Sequence, residues 1–124
     1  MKTNIEMKWK GETINLYPPT SLATCLDFVS CWGSEQNRSR LSRLCAAAIA
    51  IGAPRGSGFP VYDITQADPY SYGHGAANVL LENKVSAGII FTVGTQLLAM
   101  MAKRIPTGEE LEDAVNFTEE EGET

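Results

Sequence analysis

Between Lys84 and Lys103 the chain runs for 18 residues without a charge, all but the first of them in its longest apolar segment, Ser86 to Ile105. As a helix, 18 residues rise about 27 Å, close to the hydrocarbon thickness of a bilayer. Where this segment sits decides what every other element has to cover. Stepping the residues by about 100° gathers Gly88, Thr92, Thr95, Gln96, Ala99 and Lys103 on one narrow stripe of small and polar groups. Ile89, Ile90, Phe91, Val93, Leu97, Leu98, Met100 and Met101 fill a wide arc opposite. A central helix of a soluble protein, buried on two or three sides with one thin edge showing, has this pattern. A membrane helix that docks a neighbour through a small-residue stripe is the alternative reading.

The 124 residues are enough for one domain that buries about two thirds of the surface of its unfolded chain. The net charge of -5 hides an asymmetry: up to Ile105 there are ten Lys and Arg against seven acids, and after it eight acids and no base. An acidic terminus of that kind reads as a solubilising or interaction tail and argues against nucleic-acid phosphate as the main partner. Cys25, Cys31 and Cys45 form no Cys-x-x-Cys pair and are odd in number, which fits reduced thiols in a cytosolic protein. The N-terminal MKTNIEMKWKGETINL alternates and holds no apolar run of signal-peptide length.

The alternation of Ile5, Met7 and Trp9, then Ile14 and Leu16, around Lys10-Gly11-Glu12 predicts a short hairpin over residues 4–17 with one greasy face. Two strands alone are marginal in water, so that face needs helices to lie on. Tyr17-Pro18-Pro19 ends the second strand, because proline offers no ladder donor, and Thr20 or Ser21 then caps a helix over about 21–32. Its apolar face reads Leu22, Cys25, Leu26, Val29 and Trp32, with Gly33 placed to stop it.

A second helix over about 35–51 carries Leu41, Leu44, Cys45, Ala48 and Ile49 inward, while Arg38, Arg40 and Arg43 fall on its solvated side. Residues 53–68 form the one long connection, and Phe59, Val61, Tyr62 and Ile64 are expected to pin its second half to the core. Asp68-Pro69 is a cap followed by proline at the first helical position, which starts a helix over 69–83. Gly73 and Gly75 weaken its first turns, so either a neighbouring backbone comes close there or the helix begins later. The apolar helix at 86–105 follows. Thr107-Gly108-Glu109-Glu110 is a capping box opening a last helix over 108–117, after which 118–124 are too acidic to be held. The expected fold is therefore mainly α (α+β): a hairpin on about five helices in one domain over 1–117, followed by a disordered acidic tail.

Little in this chain points to catalysis. His74 is the only histidine and has no cysteine pair near it in sequence, so neither a metal site nor a Cys/His nucleophile pair has support. The Gly-Ser stretch at 56–58 lacks the Gly-Lys-Ser/Thr of a phosphate loop, and most carboxylates sit in the tail, where nothing tunes their pKa. No cofactor is called for. The pattern reads as a binding or assembly module. Phe91 and Leu98, seven residues apart on one flank of the apolar helix, with Met101 and Ile105 nearby, are the candidate partner-binding residues, and they serve as plain core if that helix is enclosed.

The hairpin with its Tyr17-Pro18-Pro19-Thr20 exit, the helix start Asp68-Pro69-Tyr70-Ser71-Tyr72-Gly73, and Asn116-Phe117 leading into the acidic tail resemble small proteins of tailed-bacteriophage tail-gene clusters, most of all the tail assembly chaperones. The resemblance implies a non-enzymatic protein of the host-cell cytoplasm. Such a protein binds the apolar helices of a tape-measure-like protein during tail morphogenesis and tends to self-associate, with no nucleic acid or membrane as partner. It transfers no residue roles. A structural virion subunit, such as a head-tail connector or tail-completion protein, and a small bacterial regulatory adaptor are the competing readings.

Overall fold

A computed structural model describes residues 4–34, 36–62 and 68–105, and the architecture over them is mainly helical with one two-stranded antiparallel sheet. Strands β1 (Ile5–Trp9) and β2 (Glu12–Leu16) pair in the register Ile5 to Leu16, Met7 to Ile14 and Trp9 to Glu12. The closing pair leaves a two-residue loop, Lys10-Gly11, with φ of 51° and 83°. Two successive positive φ values match the right-handed twist of the strands, as two-residue hairpins require. Met7, Trp9 and Leu16 are buried, so the greasy face lies on the helices as expected.

Helix α1 (Leu22–Ser34) starts at Ser21, whose hydroxyl accepts from the Thr24 N–H at 3.4 Å. Helix α2 (Arg38–Gly52) begins later than expected because Asn37 is its cap, accepting from the Ser39 and Arg40 N–H groups at 2.9 and 3.2 Å. Helix α3 (Pro69–Glu82) begins where the Asp-Pro pair predicts, with the Asp68 carboxylate accepting from the Ser71 N–H at 2.9 Å. It ends in a left-handed residue, Lys84, with the Lys84 N–H bonded to the Leu81 carbonyl and the Val85 N–H to the Leu80 carbonyl, both at 3.0 Å. This 5→2 and 6→1 pair satisfies carbonyls that a helix end otherwise leaves open. Helix α4 (Ala87–Arg104) is capped by Ser86, and Lys103 and Arg104 in its last turn suit the negative end of the helix dipole.

Four helices are present among the described residues; the expected fifth, at 108–117, and the tail at 118–124 lie outside them. One expectation about this architecture needs correction: the apolar helix is not the central one. On α4 only Ile90, Gly94, Leu97, Leu98 and Met101 are buried, a single stripe at i, i+4, i+7, i+8 and i+11, while Ile89, Phe91, Thr92 and Gln96 face outward. The exposed part is a broad side rather than a thin edge. The centre is α2, which packs against both α3 and α4 and buries every residue from Leu44 to Ala50.

The reason is side-chain size. Ala46, Ala47, Ala48 and Ala50 let neighbouring helices close in on several sides at once. At each crossing the partner helix contributes a glycine. A Cβ on Gly73 of α3 would run into the Arg43 backbone carbonyl, and one on Gly94 of α4 would run into Cys45. The glycines of α3 therefore divide in favour of the first expectation: at Gly73 a neighbouring backbone does come close, and the helix starts at Pro69 all the same. Among the described residues no helix is long and apolar enough to cross a membrane.

Candidate functional site

The four residues singled out from the sequence do not form one surface. Leu98 and Met101 are fully buried, packed into the core on the stripe that α4 turns inward. Ile105 is half-buried and caps α4, its N–H bonded to the Ala102 carbonyl at 3.2 Å. Phe91 is 37% exposed. A docking partner can touch Phe91 on the folded chain, whereas Leu98 and Met101 are out of reach. The physical cause is the crossing at Gly94, which seats this face of α4 tightly on α2.

Apolar exposure also appears on α1. Its buried positions are Thr24, Cys25 and Phe28, and Leu22 and Leu26 are 49% and 43% exposed. The helical repeat places these two leucines one above the other on a common face. Tyr17, in the segment that leads into α1, is 52% exposed. Single exposed apolar side chains are ordinary, but two leucines one turn apart leave a continuous greasy strip in water. The sequence reading put both leucines in the core and passed over Phe28. The signal that finds them is the excess itself: Leu22, Cys25, Leu26, Phe28, Val29, Cys31 and Trp32 span more of the helix than one packing face covers.

The long connection lines a cleft of about 710 Å³ between the end of α2, Thr24 of α1 and Tyr72 of α3. Phe59 stacks on Trp9 with ring centroids 4.8 Å apart, and the Trp9 indole N–H donates to the Ser57 carbonyl at 2.9 Å. Tyr62 meets Phe28 and Tyr72 edge-on, and the Tyr72 hydroxyl donates to the Pro60 carbonyl at 2.6 Å. Phe59 and Tyr62 thus pin the loop as expected. Val61 does not, being 92% exposed, and Ile64 lies outside the described residues. Burial pushes the Tyr72 phenol up to about 12 and also raises Tyr62, whose hydroxyl is buried without a hydrogen-bond partner among the described residues. Both phenols stay protonated near neutral pH, so the cleft offers no base from them.

The arginines of α2 meet the start of α3. The Arg40 guanidinium sits 4.2 Å over the Tyr70 ring, whose hydroxyl donates to the Cys31 carbonyl at 3.1 Å. Arg40, Arg43 and His74 share a shallow depression with the Asp68 carboxylate. That carboxyl is held below its ordinary range chiefly by the Ser71 N–H, and its negative charge opposes a bound anion at the same place. Burial pushes all three thiols up, Cys45 to about 11, which keeps them protonated and poor as nucleophiles. Among the described residues no three His, Cys, Asp or Glu side chains gather as a metal site. No protein family, curated protein or solved structure matches the chain.

Proposed function

We propose that this chain is a non-enzymatic binding module that receives an apolar helical segment of a protein partner on the outer face of α1, with Leu22 and Leu26 as its anchors. The observation that carries the reading is the exposure of these two leucines, one turn apart, on a helix whose other face already fills the core. An amphipathic partner helix recognises such a strip through its own i, i+3 and i+4 apolar positions. Phe91, the one exposed residue of the four singled out on α4, is a further contact.

The resemblance to tail assembly chaperones supports a specific version of this reading. The partner is then a tape-measure-like protein, the setting is the host-cell cytoplasm, and the acidic C-terminal region keeps the complex soluble. Co-expression with the candidate partner and affinity capture tests it. Leu22→Asp/Leu26→Asp is expected to weaken capture by at least about tenfold with the helical circular dichroism unchanged, since two anchors of this size account for a large share of a helix-groove affinity. Undiminished capture by the double variant removes α1 as the site. Finding the chain in stoichiometric amounts in mature particles overturns the chaperone version in favour of a structural subunit.

A further inference from the structure

Among the described residues, two that are not glycine have positive φ, and both are lysines: Lys10 at 51° and Lys84 at 64°. Each occupies a left-handed turn position where glycine or asparagine is at ease and a longer side chain is strained. They are far apart in sequence, yet both line one cleft of about 340 Å³ between β1 and the start of α4. Strained non-glycine residues of this kind concentrate where a side chain has a task.

Met7, Trp9 and Val85 form the buried apolar part of this cleft, and Val93 and the 47% exposed Ile89 form its open wall. Lys8 joins Lys10 and Lys84, against the single carboxylate of Glu6 among the lining residues. Lys10 also holds its ammonium 5.4 Å from the Trp9 ring. A fitting occupant is an apolar segment dense in carboxylates.

We propose that this cleft is the docking site of the chain's own C-terminal segment, residues 109–121. After Ile105 the sequence carries eight acids and no base, and Leu111, Val115 and Phe117 are set among them. The i, i+4 spacing of Leu111 and Val115 would put both on one face if the segment docks as a helix, with carboxylates on either side. The reach is sufficient. Returning along the 18 residues of α4 takes about 27 Å, and the twelve residues from Ile105 to Phe117 extend to about 40 Å. The lysines supply long-range attraction and the Ile89 wall supplies the contact that fixes register.

Zero-length carbodiimide cross-linking of the full chain at low micromolar concentration, read by peptide mass spectrometry, tests this. Links within one chain are expected from Lys8, Lys10 and Lys84 to carboxylates between Glu109 and Glu121. Leu111→Ser/Val115→Ser/Phe117→Ser lowers them about fivefold while sparing the links of Lys103, which neighbours the segment in sequence. Absence of cleft-lysine links, or equal links in the triple variant, overturns the proposal. Links found only in cross-linked dimers overturn it in favour of a second copy's segment. A second measurement is independent of chemical trapping: in Lys10→Gly/Lys84→Gly, where both turns are relaxed and the fold retained, amide exchange over residues 111–117 rises about fivefold. Unchanged exchange overturns the proposal.

Discussion

Helices α2 and α4 are both capped, both apolar and packed on each other, yet one is enclosed and the other lies at the side. Helix α4 has the bulkier residues and the longer uncharged run, and it buries one stripe. Helix α2 opens with three arginines, and seven consecutive residues from Leu44 to Ala50 are buried. The difference teaches that a centre is chosen by how closely neighbours can approach rather than by apolar content. Large side chains hold neighbours off and cover one direction well. A run of alanines accepts packing from several directions at once.

The largest test of this comparison is to spoil the close approach. Gly94→Val and Gly73→Val each force a branched side chain into Cys45 or the Arg43 carbonyl. A loss of at least about 3 kcal/mol is expected in denaturant melts, because backbone stands in the way and cannot give. If either variant stays within about 1 kcal/mol of the parent, the helices are not seated at these crossings.

Next in size is a contrast within α4. Leu98→Asp puts an unpaired carboxylate at a fully buried position and is expected to abolish folding, whereas Phe91→Asp is expected to remain folded with a loss near 1 kcal/mol. A folded Leu98→Asp protein restores Leu98 as a surface residue. A milder pair sharpens the comparison between the helices: Ala47→Leu overpacks α2 and costs about 2 kcal/mol, while Ala87→Leu on exposed α4 surface stays within about 0.5 kcal/mol.

The smallest effect is in pH dependence. Burial raises the Cys45 thiol from 9.0 to about 11, and it raises Tyr72 from 10.0 to about 12. The unfolded chain therefore gives up these protons first as pH rises. The stability linked to Cys45 is complete below 9.0 and is lost as pH climbs toward about 11. Cys45→Ala is expected to show a shallower fall in stability across that window, whatever its stability at neutral pH. Asp68 has the opposite sign. Its carboxyl is lowered by the Ser71 N–H, so its contribution is present above the ordinary value of 3.8 and lost as pH falls through the lower folded value. Asp68→Asn keeps an acceptor at the cap and removes that acid limb.

Element boundaries were legible wherever local chemistry is decisive. Asp68-Pro69 places the start of α3, and Lys10-Gly11 places the hairpin turn, because a cap, a proline or a glycine acts on its immediate neighbours. Helix α2 starts at Arg38 rather than at about 35, because the Asn37 side chain accepts from the first free N–H groups. The candidate surface was less legible. Leu22 and Leu26 have the spacing of core residues, and nothing local says that Thr24, Cys25 and Phe28 take the inward direction instead.

By itself the sequence determined the hairpin, the starts of α1, α3 and α4, the mainly helical class and the segregation of acids beyond Ile105, all of which follow from interactions over a few residues. Only the tertiary structure decided that α2 and not α4 is enclosed, that Leu98 and Met101 are core, and that Lys10 and Lys84 meet at one cleft. Those outcomes depend on which helices cross at Gly73 and Gly94. Periodicity fixes which residues share a face of a helix, and it carries no information about which face another helix will cover.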